Sequence, residues 1–197
     1  TRRSKVMDHM LPLMLDWLSL SPDPDLGLAQ LRILLAHATD HSNLVTLLQQ
    51  NPLAGERLCL LLGTGRLLGD LIDRMPEFIP RLADEDKVSR IRGLDDATGR
   101  LIELLESRPE YEAKVGTIRR FTRRRKLRIA ARDILGQIAT TSTLASLSDS
   151  ADSALTGALH IATDGDPSGF AVVAMGKWGG RELSYGSDID LMYVFSD

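Results

Sequence analysis

Two aspartates near the C-terminus carry the strongest chemical signal in this 197-residue sequence. Asp188 and Asp190 flank Ile189 at the head of the apolar run Leu191-Met192-Tyr193-Val194-Phe195. Side chains alternate along a strand, so the two carboxylates share one face while Ile189, Leu191, Tyr193 and Phe195 take the other. Like charges held side by side repel, and a hard divalent cation such as Mg²⁺, which takes carboxylate oxygen, is the natural compensation. The triplet alone says little, because Asp-x-Asp recurs at Asp23/Asp25, Asp84/Asp86 and Asp164/Asp166 in hydrophilic or proline-bearing stretches. What sets the last pair apart is the segment before it.

That segment opens with Phe170 to Met175, a compact apolar run that reads as a buried strand. Gly176-Lys177-Trp178-Gly179-Gly180 follows, then the connector Arg181 to Ser187, then the carboxylate strand. Glycines let backbone N–H groups approach a nucleotide's phosphates closely, and Lys177 or Ser187 can add donors. Together these parts suit nucleotidyl transfer, in which Asp188 and Asp190 hold Mg²⁺ against the triphosphate of ATP. Trp178 either covers an adenine or anchors the turn by packing. Ser184 and Ser187 have no His/Asp partner that would make either a nucleophile. His9, His37, His41 and His160 lack metal-ligand spacing and read as surface or capping residues.

The elements that must position this unit are helical. Val6, Met10, Leu13, Met14, Trp17 and Leu18 recur at spacings of three and four, ended by Ser21-Pro22-Asp23-Pro24. Leu26–His37, Leu44–Gln50, Leu53–Leu62, Leu67–Met75 and Leu94–Leu105 repeat the pattern, with a turn around Phe78 and a solvated linker at Asp84-Glu85-Asp86-Lys87. Ile118 to Ile138 reads as the longest helix, with eight Lys or Arg between Arg119 and Arg132 against the single acid Asp133. Leu127, Ala131, Ile134 and Ile138 form one apolar face of it, and Ile118, Phe121 and Ile129 the opposite one beside Arg125 and Arg132. The cations are either a solvated face or a patch that meets phosphate or an acidic partner. Leu144 to Leu159 keeps helical spacing beneath a polar outer face, and Asp164 to Gly169 is a turn cluster. The expected architecture is mainly α with a C-terminal α/β part: a helical region over 1–140, then strands confined to about 170–176 and 188–196.

Composition narrows the classes. A 43% hydrophobic content fills a core, and 24 Lys+Arg against 27 Asp+Glu leave a net charge of -3, so no global positive field draws the chain to nucleic acid. No apolar run reaches the roughly 20 residues of a membrane span and no signal peptide is evident, so a cytoplasmic protein without nucleic-acid or membrane partners is expected. Cys59 is the lone cysteine, which excludes an internal disulfide. The chain starts at Thr1 without a methionine and stops just after an apolar run, and both features lead us to expect a piece of something longer.

The stretch Ala174 to Leu191, with Gly176-Lys177-Trp178-Gly179-Gly180 and Ser187-Asp188-Ile189-Asp190, resembles the nucleotidyltransferase signature of the glutamine synthetase adenylyltransferase family. Upstream, Arg119 to Gly136 with Leu127-Arg128-Ile129-Ala130 and Asp133 is similar to the segment those proteins carry before the catalytic unit; the resemblance spans nearly the whole chain and is diffuse before residue 115. It implies a polymerase-β-like nucleotidyltransferase fold whose first portion occupies residues 141–197. Enzymes of the family have two homologous units, one attaching AMP from ATP to a tyrosine of glutamine synthetase and the other removing it by phosphorolysis, in the regulation of nitrogen assimilation. The resemblance further implies glutamine synthetase and a PII-type nitrogen regulatory protein as partners. Gly179, Gly180 and Ser187 would lie at the nucleotide phosphates, with Asp188 and Asp190 on the metal. The family's third carboxylate has no counterpart here, so these residues by themselves are expected to be inactive. Leu11 to Leu18 with Ser21 to Asp25 looks more like the start of the adenylylating unit than of the removing one. Two rivals stand beside this reading: a non-catalytic helical interaction module, and a nucleotidyltransferase acting on nucleic acid, which the acidic balance disfavours.

Overall fold

The computed structural model describes residues 2–37, 41–89 and 93–196, and within these the side chains of all but 2–9, 41–43, 87 and 89. Helices α1 (Arg2–Ser19), α2 (Pro24–His37), α3 (His41–Gln50), α4 (Pro52–Leu62) and α5 (Arg66–Asp73) lead into a 3-10 helix (Pro76–Ala83) and α6 (Glu85–Ser89). Then come α7 (Leu94–Glu106), α8 (Tyr111–Ile134), α9 (Thr140–Ala162), strand β1 (Phe170–Ala174), the single turn α10 (Gly176–Gly179) and strand β2 (Leu191–Phe195). Before residue 140 the described residues contain no strand, as the unchanging 3.6-residue periodicity requires. Among them no helix is long and apolar enough to cross a membrane.

The chain divides into two compact units. The first comprises Thr1–Arg90 together with Ala130–Gln137. Its centre is α4, which packs against α1, α2, α3, α5 and the 3-10 helix. The sequence of α4 explains this: Ala54, Leu58, Cys59, Leu61 and Leu62 point to several sides, and a helix apolar nearly all round must be enclosed. Asp23 caps α2 by accepting the Leu26 N–H at 2.9 Å, with Pro24 at the first helical position. Gly63 is fixed by close approach, since a Cβ there would lie 2.0 Å from Ser21 Oγ. Trp17 is half-buried with its ring over Gly55, a packing role as its place on the apolar stripe suggests. The stretch read as a solvated linker is mostly helix α6, because fully buried Val88 anchors it against the 3-10 helix. Expectations for the side chains of Val6, His9 and His41 lie outside the described residues.

The second unit comprises Ile91–Ile129 and Ile138–Asp197. Here α7 packs on α9: fully buried Leu101 and Leu105 lie over Gly157, where a Cβ would come within 2.8 Å of Leu101 Cδ2. Strands β1 and β2 are antiparallel, with Phe170 opposite Phe195, Val172 opposite Tyr193 and Ala174 opposite Leu191. The inner face of this pair, with Val172, Ala174 and Leu191, packs on a cluster of Ile129, Leu147, Ala151, Trp178 and Leu183. The outer face, with Val173, Met175, Met192 and Val194, is exposed. The run Phe170 to Met175 is therefore half-buried among the described residues, not enclosed on both faces, because core lies on one side of the pair only. The helix carrying the cations starts earlier than its periodicity suggested, at Tyr111, and stops at Leu135-Gly136, where Gly136 takes φ +69° as the terminating glycine.

Candidate active site

The glycine segment between β1 and the carboxylates folds as one turn of helix, α10, closed by a Schellman motif. Glu182 N–H donates to the Lys177 carbonyl at 2.7 Å and Arg181 N–H to the Trp178 carbonyl at 3.0 Å. The left-handed position of that motif, usually glycine, is occupied by Arg181 at φ 57°. Gly179 and Gly180 are thus not needed for a positive φ. Gly179 is needed for space, because a Cβ there would sit 2.6 Å from the Ala174 carbonyl oxygen, which is backbone and cannot swing aside. Gly180 meets only the flexible end of Glu182, and Gly176 combines φ +53° with a Cβ position 2.5 Å from Asp190 Oδ2.

The strained turn is held from α9. Asp152 accepts the Trp178 indole N–H at 2.7 Å and the Arg181 guanidinium at 3.3 Å, while Asp149 takes the other side of that guanidinium. These carboxylates raise the Arg181 pKa, led by the hydrogen bond that Arg181 donates to Asp149. Trp178 is buried in the cluster beneath the sheet, so it is the packing anchor of the turn. Leu183 N–H reaches Ser148 Oγ at 3.4 Å, and Lys126 Nζ donates to the Tyr185 carbonyl at 3.1 Å, tying the connector to α9 and α8.

The residues singled out from sequence fall as follows. Asp190 immediately precedes β2 and continues its ladder, accepting the Met175 N–H at 2.9 Å through its carbonyl. Because the neighbouring Leu191 turns inward to the core, Asp190 belongs to the opposite, outer face, and its carboxylate lies over Gly176. Asp188 is exposed two residues earlier. No hydrogen bond or ion pair among the described residues engages either carboxylate, and no third His, Cys, Asp or Glu of those residues joins them in a metal-holding group. Lys177 is exposed on α10 beside Gly179 and Gly180. Ser187 closes the 184–187 turn: its Oγ accepts the Ser184 N–H at 3.0 Å and lies 2.8 Å from Ser184 Oγ. The β1–α10–connector–β2 order thus brings Gly176 and Asp190 together.

Asp149 and Asp152 escaped the sequence reading, which saw only a polar outer face on this helix. Their i, i+3 spacing puts them on one side of α9, and that spacing, with an Arg and a Trp flanking Gly-Gly downstream, is the signal that was available. Of the cations between 119 and 132, Lys126 reaches the connector before Asp188, whereas Arg124, Arg125 and Arg128 line a cavity with α7. Arg119, Arg120 and Arg123 are exposed. His37 pairs with Asp73 at 2.9 Å and His160 with Glu106 at 3.9 Å, surface contacts in keeping with the absence of ligand spacing.

Comparison with known proteins places the sequence in a family. The family model described as glutamate-ammonia ligase adenylyltransferase matches residues 55–197. The chain is 34% identical, over 98% of its length, to the bifunctional glutamine synthetase adenylyltransferase/adenylyl-removing enzyme of Mycobacterium marinum, of which it covers 20%. It is 34% identical over 99% of its length to the enzyme of that name from Leifsonia xyli, and 33% identical over all of it to that from Cutibacterium acnes, again covering 20% of each. The chain therefore spans about a fifth of the length of the curated relatives it matches. With a match that runs from within α4 through the whole glycine–aspartate unit, the chain belongs to the glutamate-ammonia ligase adenylyltransferase family.

Proposed function

We propose that the second unit supplies the opening of a polymerase-β-like nucleotidyltransferase domain, within an enzyme that transfers AMP from ATP to a tyrosine of glutamine synthetase. The observation that carries this reading is the juxtaposition of the α10 turn with the Asp190 carboxylate over Gly176, on top of family membership. Two acidic side chains, exposed and not engaged by other described residues, form a hard-oxygen donor set that fits Mg²⁺. When bound, Mg²⁺ supplies charge neutralisation for a triphosphate and its leaving pyrophosphate. Asp188 and Asp190 would hold it, from positions fixed by the Asp190–Met175 backbone bond.

The rest of the work falls to the turn. Lys177 presents an ammonium to the phosphates, and the exposed backbone around Gly179 and Gly180 admits them closely because neither residue has a side chain. Ser187, already bonded within its turn, orients the chain that leads into Asp188. The names of the relatives support glutamine synthetase as the acceptor, and a PII-type regulator belongs to the same reading. The test is equilibrium binding of ATP with and without Mg²⁺ to the full chain. Lys177→Ala is expected to weaken ATP binding about tenfold, the loss of one charge-assisted contact of roughly 1.5 kcal/mol. Unchanged affinity in a folded variant contradicts the proposed phosphate contact.

A further inference from the structure

Away from the glycine turn, residues of α7 and α8 line an open cavity of about 630 Å³, within the roughly 300–1,000 Å³ of small-ligand pockets. Its wall holds four guanidinium groups, Arg100 from α7 and Arg124, Arg125 and Arg128 from α8, against the two carboxylates of Asp96 and Glu103. Arg100 and Glu103 bond each other at 2.7 Å, but both are more than half exposed, so that pair is weak and readily exchanged. On α8 the spacings 124/128 and 125/128 bring three guanidiniums to one side of a single helical turn.

Arg125 is the distinctive member. It is 7% exposed, and its guanidinium lies 5.8 Å from the centroid of the Phe121 ring, which also lines the cavity. Burial lowers its pKa and the charge of Asp149 raises it back in part, so the protein keeps a desolvated cation in the wall of a cavity. A guanidinium carries five donors, so it can bond an entering anion beside the groups it already meets. Three planar forks converging from one helix suit a tetrahedral group with three terminal oxygens, whereas a carboxylate offers only two. Arg119, Arg120 and Arg123 do not line the cavity, whereas exposed Arg124, half-buried Arg128 and buried Arg125 do.

We propose that this cavity binds a small phosphate-bearing molecule, its oxygens gripped by Arg124, Arg125 and Arg128 and its remaining atoms covered by Phe121. The site is separate from the nucleotidyl-transfer reading and stands or falls independently of it.

The test is isothermal titration calorimetry on the full chain without divalent metal, at matched ionic strength, with inorganic pyrophosphate, AMP and sodium sulfate as probes. Pyrophosphate or AMP is expected to bind, and the Arg124→Gln/Arg128→Gln variant to weaken that binding at least tenfold while Lys177→Ala leaves it unchanged. AMP binding more tightly than pyrophosphate, with Phe121→Leu weakening AMP alone, would identify an organic phosphate; the reverse order would identify an inorganic one. Should the glutamine variant fail to fold by circular dichroism, Arg124→Lys/Arg128→Lys keeps the charge but removes the forks, and a several-fold loss is expected there too. No binding at millimolar probe overturns the proposal. So does sulfate binding equal to that of both phosphates, or a loss in Lys177→Ala that the arginine variants do not share.

Discussion

Replacing Asp152 with alanine tests how the glycine turn is held. The Trp178 indole N–H, in a residue only 4% exposed, loses its acceptor at 2.7 Å. A buried donor left unsatisfied costs about 1–3 kcal/mol. The Arg181 bond at 3.3 Å is lost too, but that side chain is 51% exposed and keeps Asp149, so this part is worth at most about 1 kcal/mol. A total of about 2–3 kcal/mol is expected, lowering the midpoint of thermal unfolding by roughly 4–12 °C in a chain of this size. Asp152→Asn keeps an acceptor and is expected to lose about half as much. Trp178→Phe removes the donor and keeps most of the ring, so a double-mutant cycle with Asp152→Ala isolates the bond. The assay is urea unfolding of all four proteins, with a coupling of at least about 1 kcal/mol expected. A strictly additive cycle, or an Asp152→Ala variant within about 0.5 kcal/mol of the parent, would refute the idea that α9 fastens the turn.

Gly179→Ala drives a Cβ to 2.6 Å from the Ala174 carbonyl oxygen and is expected to cost about 1–3 kcal/mol in urea unfolding, whereas exposed Gly99, with nothing near its Cβ position, is expected to accept alanine without loss. Burial pushes the Cys59 thiol up to about 12 from 9.0, so it favours the fold fully below pH 9 and that contribution is lost as pH rises toward 12; Cys59→Ala is expected to flatten the alkaline fall in stability, and an unchanged slope would contradict the burial argument. The Ser168 hydroxyl and backbone N–H hold the Asp166 carboxyl below its ordinary pKa, stabilising the 164–169 turn above pH 3.8 and releasing it as pH falls through the lowered value. Ser168→Ala is expected to raise the Asp166 midpoint in carboxyl ¹³C NMR titration.

Helices were legible in the sequence because each buries an apolar stripe at a spacing of three and four, and the change of period at Phe170 marks β1 for the same reason. Local patterning misses what depends on a distant partner. The acids of Glu85-Asp86 suggested open solvent, yet one buried valine, Val88, makes that stretch a helix. Phe170 to Met175 looked buried on both faces because alanine, valine and methionine do not reveal which face meets the core. At the candidate site, the glycine–aspartate order was readable, but the conformation of the turn was not. Gly-Gly reads as a turn, but nothing local says that Arg181 closes it in the left-handed conformation, in the grip of two aspartates about 30 positions earlier in the chain. The arginines of α8 do not share one environment: Arg119, Arg120 and Arg123 lie on the surface, while Arg124, Arg125 and Arg128 line a cavity with α7, a difference that depends on α7 and not on their own spacing.

The central claim is that Asp188 and Asp190 form the acidic pair of a nucleotidyl-transfer site. It is tested most directly by replacing each with asparagine in an enzyme of the relatives' full length and measuring Mg²⁺-dependent transfer of labelled AMP from ATP to glutamine synthetase, alongside phosphate-dependent release and thermal unfolding. Asparagine keeps the shape and removes the metal-binding charge, and both carboxylates are exposed, so the fold should hold while transfer falls by about two orders of magnitude or more. Near-normal rates in both directions from both folded variants would contradict the account.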